Sequence, residues 1–276
     1  MAKTRRLIKE SLPLVDGVCE ILDARVPLSS QNPEIDEITA RKPRIILLNK
    51  CDLADPKATE QFIEYFRSKG FAALAVDCKS GKGLEKFRDE VKQLLKSKIE
   101  SNIAKGMPGK SLKLMVVGIP NTGKSTFINR ISANSKAIAA DRPGVTRSNQ
   151  WFQAGKGLEM LDTPGVLWPK FEDAQVGFKL SFIRSVKDEI LDIEEIAVKF
   201  LELMIKNYPQ LIEQRYKIDV SDVFLPFEAL EMIARSRGML LKKGEYDTER
   251  AANALLEDYR TGKLGRLTLD SVGEIS

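Results

Sequence analysis

Short apolar runs alternate with amphipathic segments over most of the first two thirds of the chain. The runs predict buried strands and lie at residues 17–22, 44–48, 72–76 and 112–117. From Leu84 to about Ile99 the apolar positions recur with the spacing of a helix face, and the polar residues 101–111 then predict a linker. Strands that alternate with helices of this length indicate an α/β domain, with a mostly parallel sheet and helices on both faces.

The pattern changes near residue 173. Residues 150–153 and 158–161 flank a glycine-rich turn and predict an antiparallel strand pair. Beyond them strand signals are lost, and amphipathic helices are expected through Tyr259. We therefore expect residues 1–174 to form the α/β domain and residues 175–276 to form a small all-α domain.

Composition narrows the class of protein further. With 43% hydrophobic and 30% charged residues, the 276-residue chain has the balance of a soluble globular protein. Its apolar runs are much shorter than a membrane span, so no membrane partner is expected. Three scattered cysteines, Cys19, Cys51 and Cys78, favour a reducing, cytoplasmic compartment. The sequence has no histidine, which argues against zinc and removes the usual general base. The net charge of +5 fits either an anionic partner or a solvated mixed surface.

The most informative motif is GIPNTGKS at 118–125, which has the spacing of a phosphate-binding loop. It lies between an apolar run and a helical pattern, which is the strand–loop–helix context that the motif requires. Its glycines allow backbone N–H groups to converge on a β-phosphate at a helix N-terminus. Lys124 is expected to reach the β- and γ-phosphates, and Ser125 to bind Mg²⁺. The nucleotide contacts expected here are Asn121, Thr122, Gly123, Lys124, Ser125 and Thr126.

A second motif, Asn49-Lys50-Cys51-Asp52, directly follows the run at 44–48 and is interpreted as a guanine selector. The Asp52 carboxylate can accept hydrogen bonds from guanine N1–H and from the exocyclic amine, whereas adenine offers neither in that arrangement. Asn49 is expected either to bond the base edge or to tie neighbouring loops together, and the stem of Lys50 to lie over the ring. A four-residue pattern often occurs by chance, so the evidence for this motif comes mainly from its position directly after a predicted strand.

A third motif, Asp162-Thr163-Pro164-Gly165, follows the predicted strand pair. Asp162 is expected to hold Mg²⁺ through water, and Gly165 to direct a backbone N–H at the γ-phosphate. Thr146 is a candidate for a mobile hydroxyl that senses the γ-phosphate and Mg²⁺; the alternative is an ordinary loop threonine. Asp23 and Arg25 lie at the carboxyl end of the predicted strand at 17–22. They are expected either to contact a ligand or to form an ion pair.

The three motifs resemble those of Ras-like, translation-factor-related GTPases, but the guanine motif comes before the phosphate loop instead of after it. The chain is therefore similar to a circularly permuted Ras-like P-loop GTPase. Within that group it resembles the ribosome biogenesis GTPase A family, also called YlqF, over essentially its whole length. The segments that carry this resemblance include DARVPLSSQNP at 23–33, KPRIILLNKCDLAD at 42–55, LDTPGVLWPKFED at 161–173 and TGKLGRLTLD at 261–270.

This resemblance implies GTP hydrolysis, giving GDP, coupled to late assembly of the large (50S) ribosomal subunit, with a precursor particle and its rRNA as partners. It also implies that backbone N–H groups at Cys78 and Lys79 face guanine O6, where many GTPases have Ser-Ala. In the family a Trp-Phe-Pro-Gly-His segment, whose histidine is implicated in hydrolysis, usually precedes a Met-Ala-Lys like that at 1–3. We expect a mis-assigned start codon or a shortened chain, and not an evolved loss, to account for the absence of this segment.

Catalysis is assigned to Lys124, Thr146 and Asn121. Val166 stands where Ras-type enzymes have a water-orienting glutamine, so intrinsic hydrolysis is expected to be slow. Asn121 is a candidate K⁺ ligand, because related potassium-binding GTPases have an asparagine there; alternatively it only stabilises the loop turn. The ribosomal particle is expected to supply the remaining contacts, by ordering the Thr146 loop or in trans.

The expected helical domain carries basic residues that fit either solvated helix faces or an rRNA-binding surface. They are Arg235, Arg237, Lys242, Lys243, Arg250, Arg260, Lys263 and Arg266. Two functions remain: a GTPase that times an assembly step, and a GTP-dependent rRNA-binding assembly chaperone with incidental hydrolysis. A small-molecule kinase is disfavoured, because nothing resembles a lid for an acceptor substrate. We expect a cytoplasmic monomer.

Overall fold

The computed structural model describes residues 2–132, 150–165, 167, 173–186, 192–242 and 244–274. Thr146, Val166 and Lys243 therefore lie outside the described residues. Backbone contacts divide the chain into two compact units, Met1–Lys170 with Asp270–Ser276, and Phe171–Leu269. The linear division expected from the sequence does not include this return of the last residues to the first unit.

The first unit is built on a six-stranded sheet. Its strands are β1 Gly17–Asp23, β2 Arg44–Asn49, β3 Ala72–Val76, β4 Leu112–Val117, β5 Gln150–Gln153 and β6 Leu158–Asp162. They lie in the order β3-β2-β1-β4-β6-β5, with β5 antiparallel to β6 and every other neighbouring pair parallel. The predicted strands are confirmed, and the carboxyl ends of the five parallel strands lie along one edge.

Helices of the first unit are α1 Ala2–Ser11, α2 Pro33–Thr39, α3 Pro56–Ser68, α4 Phe87–Leu94, α5 Lys96–Ala104 and α6 Lys124–Ser132. The single helix expected from Leu84 to about Ile99 is instead a 3₁₀ turn at Leu84–Lys86, followed by α4 and α5. The break at Leu95, with φ −102° and ψ 21°, keeps the apolar spacing almost unchanged, so periodicity could not show it. The linker expected at 101–111 begins only after α5 ends.

Side chains alternate between the two faces of the sheet with the two-residue period of a strand. On one face Leu47 packs in the same cluster as Phe127 of α6. On the other face Leu48 packs with Phe62 and Phe66 of α3. These three phenylalanines are at most 1% exposed, and full burial of each stabilises the fold by about 2–3 kcal/mol. Because helices cover both faces, most positions of the parallel strands are apolar, with polar residues chiefly at the strand ends and at Glu20.

The second unit is built from helices. They are α7 Ala174–Phe182, α8 Ile193–Asn207, α9 Pro209–Tyr216, α10 Pro226–Ser236 and α11 Thr248–Arg260. The rings of Phe182, Phe200 and Tyr259 join α7, α8 and α11, with centroid separations of 5.2 and 4.9 Å. The Arg260 guanidinium donates to the Ser181 and Phe182 carbonyl oxygens at the end of α7. Among the described residues of this part of the chain, the expected all-α character is confirmed, apart from a single β-bridge between Leu240 and Tyr246.

Candidate nucleotide site

The phosphate-binding segment forms a tight loop between β4 and α6. Gly118 has φ 147°, and a β-carbon there would lie 2.6 Å from the Ile21 carbonyl oxygen. Gly123 has φ 100°, and its β-carbon would lie 2.1 Å from Asn49 Nδ2. Both positions therefore require glycine, for the backbone conformation and for the close approach. The predicted strand–loop–helix context is confirmed, with the loop at the N-terminus of α6.

The loop that follows β6 lies against the phosphate-binding loop. The Thr163 hydroxyl donates to the Val116 carbonyl oxygen of β4 at 2.6 Å, which fastens this loop to the neighbouring strand. A β-carbon at Gly165 would lie 3.0 Å from Lys124 Nζ. Burial lowers the pKa of Lys124, and the negative charge of Asp162 opposes that shift. The Lys124 ammonium thus lies between the two loops, within reach of the Asp162 charge.

Asn49 joins the base-side and phosphate-side loops. Its Nδ2 donates to the Thr122 carbonyl oxygen at 2.7 Å, and its Oδ1 accepts from the Cys78 N–H at 3.0 Å. Only 3% of Asn49 is exposed, so water competes little for either bond. Of the two roles expected for this side chain, these contacts support the tie between neighbouring loops.

Lys50 makes a second connection between the same loops. Its Nζ donates to the Asn121 carbonyl oxygen at 2.7 Å and pairs with the Asp23 carboxylate at 2.9 Å. Asp23 is fully buried, and Arg25 bonds both of its carboxylate oxygens, at 2.9 and 2.8 Å. Burial alone would raise the pKa of Asp23, but Arg25 and Lys50 hold it well below its usual value. Asp23 and Arg25 therefore form the strand-end ion pair that was one of their two expected roles.

The turn after β3 is held by two side chains that the sequence did not single out. The Asp77 carboxylate accepts from the Lys79 N–H at 2.8 Å; despite partial burial, bonds from Ser80 and Lys79 lower its pKa. Arg130 of α6 donates to the carbonyl oxygens of Cys78 and Lys79. The position of Asp77 directly after a strand could have indicated it. Nothing in the sequence distinguishes Arg130 from an ordinary helix arginine.

The remaining predicted contacts differ in burial. Thr122 is fully buried, and its hydroxyl donates to the Ile119 carbonyl oxygen at 3.0 Å. Four of them are exposed: Asp52, Asn121, Ser125 and Thr126. Cys51 is half-buried, and its N–H donates to the Val76 carbonyl oxygen at 3.2 Å. Burial, with the nearby Asp77 charge, raises the pKa of the Cys78 thiol to about 12. The backbone of Cys78 is already bonded, through its N–H to Asn49 and through its carbonyl oxygen to Arg130.

The guanine motif, the phosphate loop and the Asp162 loop all follow the carboxyl ends of parallel strands, at the edge where α/β sheets bind ligands. The guanine motif comes first in the chain, yet only β1 lies between its strand, β2, and the strand of the phosphate loop, β4. This arrangement defines a circularly permuted P-loop GTPase domain.

Comparison with known proteins identifies the family. A family model described as 50S ribosome-binding GTPase matches residues 113–222. The ribosome biogenesis GTPase A of Priestia megaterium is 45% identical over 99% of this chain and 95% of its own length. The protein of that name from Thermotoga maritima is 30% identical over 99% of this chain and 93% of its own length. The chain belongs to the ribosome biogenesis GTPase A family and is a GTP hydrolase.

Solved structures agree with this assignment. A GDP-bound structure of TM YlqF has a TM-score of 0.71 and 29% identity, and covers 96% of this chain and 99% of its own. GNP-bound YlqF from T. maritima has a TM-score of 0.67 and 29% identity, with 98% of each chain covered. None of the described helices combines the length and apolar character that a bilayer crossing needs.

Proposed function

We propose that this GTPase binds and hydrolyses GTP to time a late step in assembly of the large ribosomal subunit. The observation that carries the proposal is Asn49, whose amide bonds the phosphate loop and the turn after β3 at once. These two bonds hold the base-side and phosphate-side loops next to each other. The family model described as 50S ribosome-binding supports the choice of particle.

In this proposal Asp52 selects guanine. The backbone N–H groups of Cys78 and Lys79, which the resemblance places at O6, donate to the Asn49 and Asp77 side chains in this structure and would have to exchange these acceptors for O6 when the nucleotide binds. The phosphate loop, with Lys124, holds the β- and γ-phosphates, and the Gly165 N–H meets the γ-phosphate. Asn49 orders the loops without touching the base. Thr146 remains the proposed sensor of the γ-phosphate, in a segment outside the described residues.

The residues present fit a magnesium ion. Ser125 lies in the first turn of α6 and is exposed, and Asp162 ends β6 close enough for its charge to act on Lys124. A hydroxyl and a carboxylate are oxygen donors of the kind that Mg²⁺ prefers. When bound, the ion would neutralise charge on the β- and γ-phosphates. We propose that Ser125 holds it directly and that Asp162 holds it through water.

We propose that the helical part, residues 175–276, binds rRNA through part of its basic surface. Arg260 is occupied at the end of α7. Arg237 and Lys263 lie 3.6 and 3.7 Å from Asp258, which neutralises them in part. The exposed basic side chains best suited to phosphate contacts are Arg235, Lys242 and Arg250. We further propose that the protein acts in the cytoplasm as a monomer.

Single-turnover hydrolysis of GTP, measured with and without large ribosomal subunits, tests this function. Because Val166 cannot orient the attacking water, we expect the particle to accelerate hydrolysis by about ten-fold or more. The same valine also favours the second candidate, an rRNA-binding chaperone with incidental hydrolysis. GTP-dependent binding to the particle without any acceleration would favour the chaperone over the timer.

Potassium is the proposed substitute for an arginine at the transition state. We expect hydrolysis to rise by about ten-fold or more when K⁺ replaces Na⁺ at constant ionic strength, because a held cation stabilises developing phosphate charge. Asn121 has φ 64° and an exposed side chain at the tip of the phosphate loop. The variant Asn121→Ala should erase the difference between the two salts.

The matched control is Asn129→Ala, which removes an exposed asparagine from α6 and should keep the potassium effect. Constant ionic strength prevents changes in the screening of RNA contacts from imitating that effect. Equal rates in Na⁺ and K⁺ with the particle present would exclude potassium as the missing catalyst. Arg142 and Arg147, which lie outside the described residues, would then be the side chains to replace.

A further inference from the structure

The last described residues of the chain pack on the first unit; residues 270–274 are called the C-terminal strap below. Asp270 is 5% exposed, and its carboxylate accepts from the Ser29 N–H at 2.8 Å and from the Ser29 hydroxyl at 2.7 Å. Val272 packs against the cluster that contains Phe62 and Phe66 of α3. The strap therefore combines buried hydrogen bonds to a carboxylate with an apolar contact.

Ser29 belongs to the loop that leaves β1, and this loop reaches the nucleotide site. The adjacent Ser30 is fully buried, and its Oγ accepts from the Asp23 N–H at 3.1 Å. The Asp23 carboxylate pairs with Lys50 Nζ, which also donates to the Asn121 carbonyl oxygen of the phosphate loop. A continuous series of contacts thus connects the strap with the guanine motif and the phosphate loop.

We propose that Asp270 is a positioning residue for guanine-nucleotide binding. It fixes the loop after β1 and thereby holds Asp23, and through Asp23 the ammonium of Lys50, in the orientation that the bound nucleotide needs. The proposal rests on the guanine-nucleotide site proposed above. It assigns to the strap a role in affinity, in addition to any role in folding.

The chemistry of these contacts supports that role. The bonds to Ser29 end on a buried carboxylate, and such charge-assisted bonds are stronger than those between neutral groups. Lys50 has a flexible four-carbon stem, so the order of its ammonium depends on its two acceptors, the Asp23 carboxylate and the Asn121 carbonyl oxygen. Ordering Lys50 before the nucleotide arrives removes an entropic cost from binding. Loss of the strap contact should therefore appear as weaker binding of any guanine nucleotide.

The test measures Kd for fluorescently labelled GTP and GDP with the full chain. We expect Asp270→Ala to raise both values by about five- to ten-fold, with their ratio unchanged, because the base side is common to the two nucleotides. Ser29→Ala removes only the hydroxyl bond and should act in the same direction with a smaller effect. The matched control is Asp222→Ala, which removes an exposed carboxylate outside the strap and should leave both values unchanged.

Thermal unfolding of each variant ensures that binding is measured on folded protein. A double-mutant cycle then separates positioning from general loosening of the fold: in a Lys50→Met background, Asp270→Ala should add little further loss. Unchanged Kd values in both folded Asp270→Ala and folded Ser29→Ala would overturn the proposal, as would full additivity with Lys50→Met. Failure of the nucleotide site itself is recognised separately, because Asp52→Ala would then leave GTP binding intact.

Discussion

Asp52→Ala is expected to raise the Kd for GTP by about 100-fold or more, and to remove the preference for GTP over ATP and XTP. In the proposed site the carboxylate would accept two hydrogen bonds from the guanine edge, and alanine would leave both donors without a partner. The fold should be retained, because Asp52 is exposed and the bonds around it run through the backbone. The Cys51 N–H donates to the Val76 carbonyl oxygen at 3.2 Å, and the Leu53 N–H to that of Lys50 at 2.9 Å.

Equilibrium binding of GTP, XTP and ATP measures this effect. A second variant, Asp52→Asn, tests the guanine contact more specifically. The asparagine amide can donate to the carbonyl that xanthine carries at C2, where guanine has an amine. Asp52→Asn should therefore prefer XTP over GTP, which reverses the original order. Glu60→Ala, which removes an exposed carboxylate from α3, is the matched control and should bind like the parent protein. Unchanged GTP affinity in folded Asp52→Ala would remove the guanine assignment.

Much of the α/β architecture could be predicted because parallel strands covered on both faces leave a strong local signal. The run RIILL at 44–48 is fully buried in β2, and its length and flanking turns predict a strand without reference to any partner. Each site motif also carries its own local context: a strand before it and a loop or helix after it. The sheet edge that gathers the motifs follows from parallel pairing alone.

Helix boundaries were less predictable. Apolar periodicity shows which face of a helix is buried, but it does not show where the helix axis breaks. Leu95 and Ile99 continue the apolar spacing across the break between α4 and α5, so the break leaves the pattern intact. The short helix α2 was missed for a different reason. Asn32 caps it by accepting from the Glu34 N–H at 3.0 Å, and Pro33 opens it, but its seven residues are too few for a periodic pattern.

Contacts between residues far apart in the chain could not be predicted from the sequence. Asp270 and Ser29 are 241 residues apart, and neither residue type nor local pattern marks them as partners. The role of Asn49 was open for a related reason, because an amide can bond a base or a neighbouring loop equally well. Only the positions of the Thr122 carbonyl and the Cys78 N–H decide between these roles.

The second large effect is expected at the phosphate loop. Lys124→Ala should raise the Kd for GTP by about 100-fold, and the Kd for GDP by clearly less. The ammonium lies between the phosphate loop and the Asp162 loop, where burial strengthens its interaction with phosphate charge. GTP presents two phosphates to it and GDP presents one, so the lost attraction is larger for the triphosphate.

Parallel titrations with GTP and GDP measure this difference, and the exposed Asn129→Ala on the same helix is the control, with no expected change. The ratio of the loss of GTP affinity to the loss of GDP affinity shows which phosphate Lys124 contacts. A larger loss of affinity for GTP would place Lys124 beside the γ-phosphate. We expect this result because a β-carbon added at Gly165 would lie 3.0 Å from the Lys124 ammonium. Equal and negligible losses would mean that the triphosphate does not occupy this loop. Equal and large losses would confine Lys124 to the β-phosphate, and recognition of the γ-phosphate would then depend on the Gly165 N–H and the Thr146 segment.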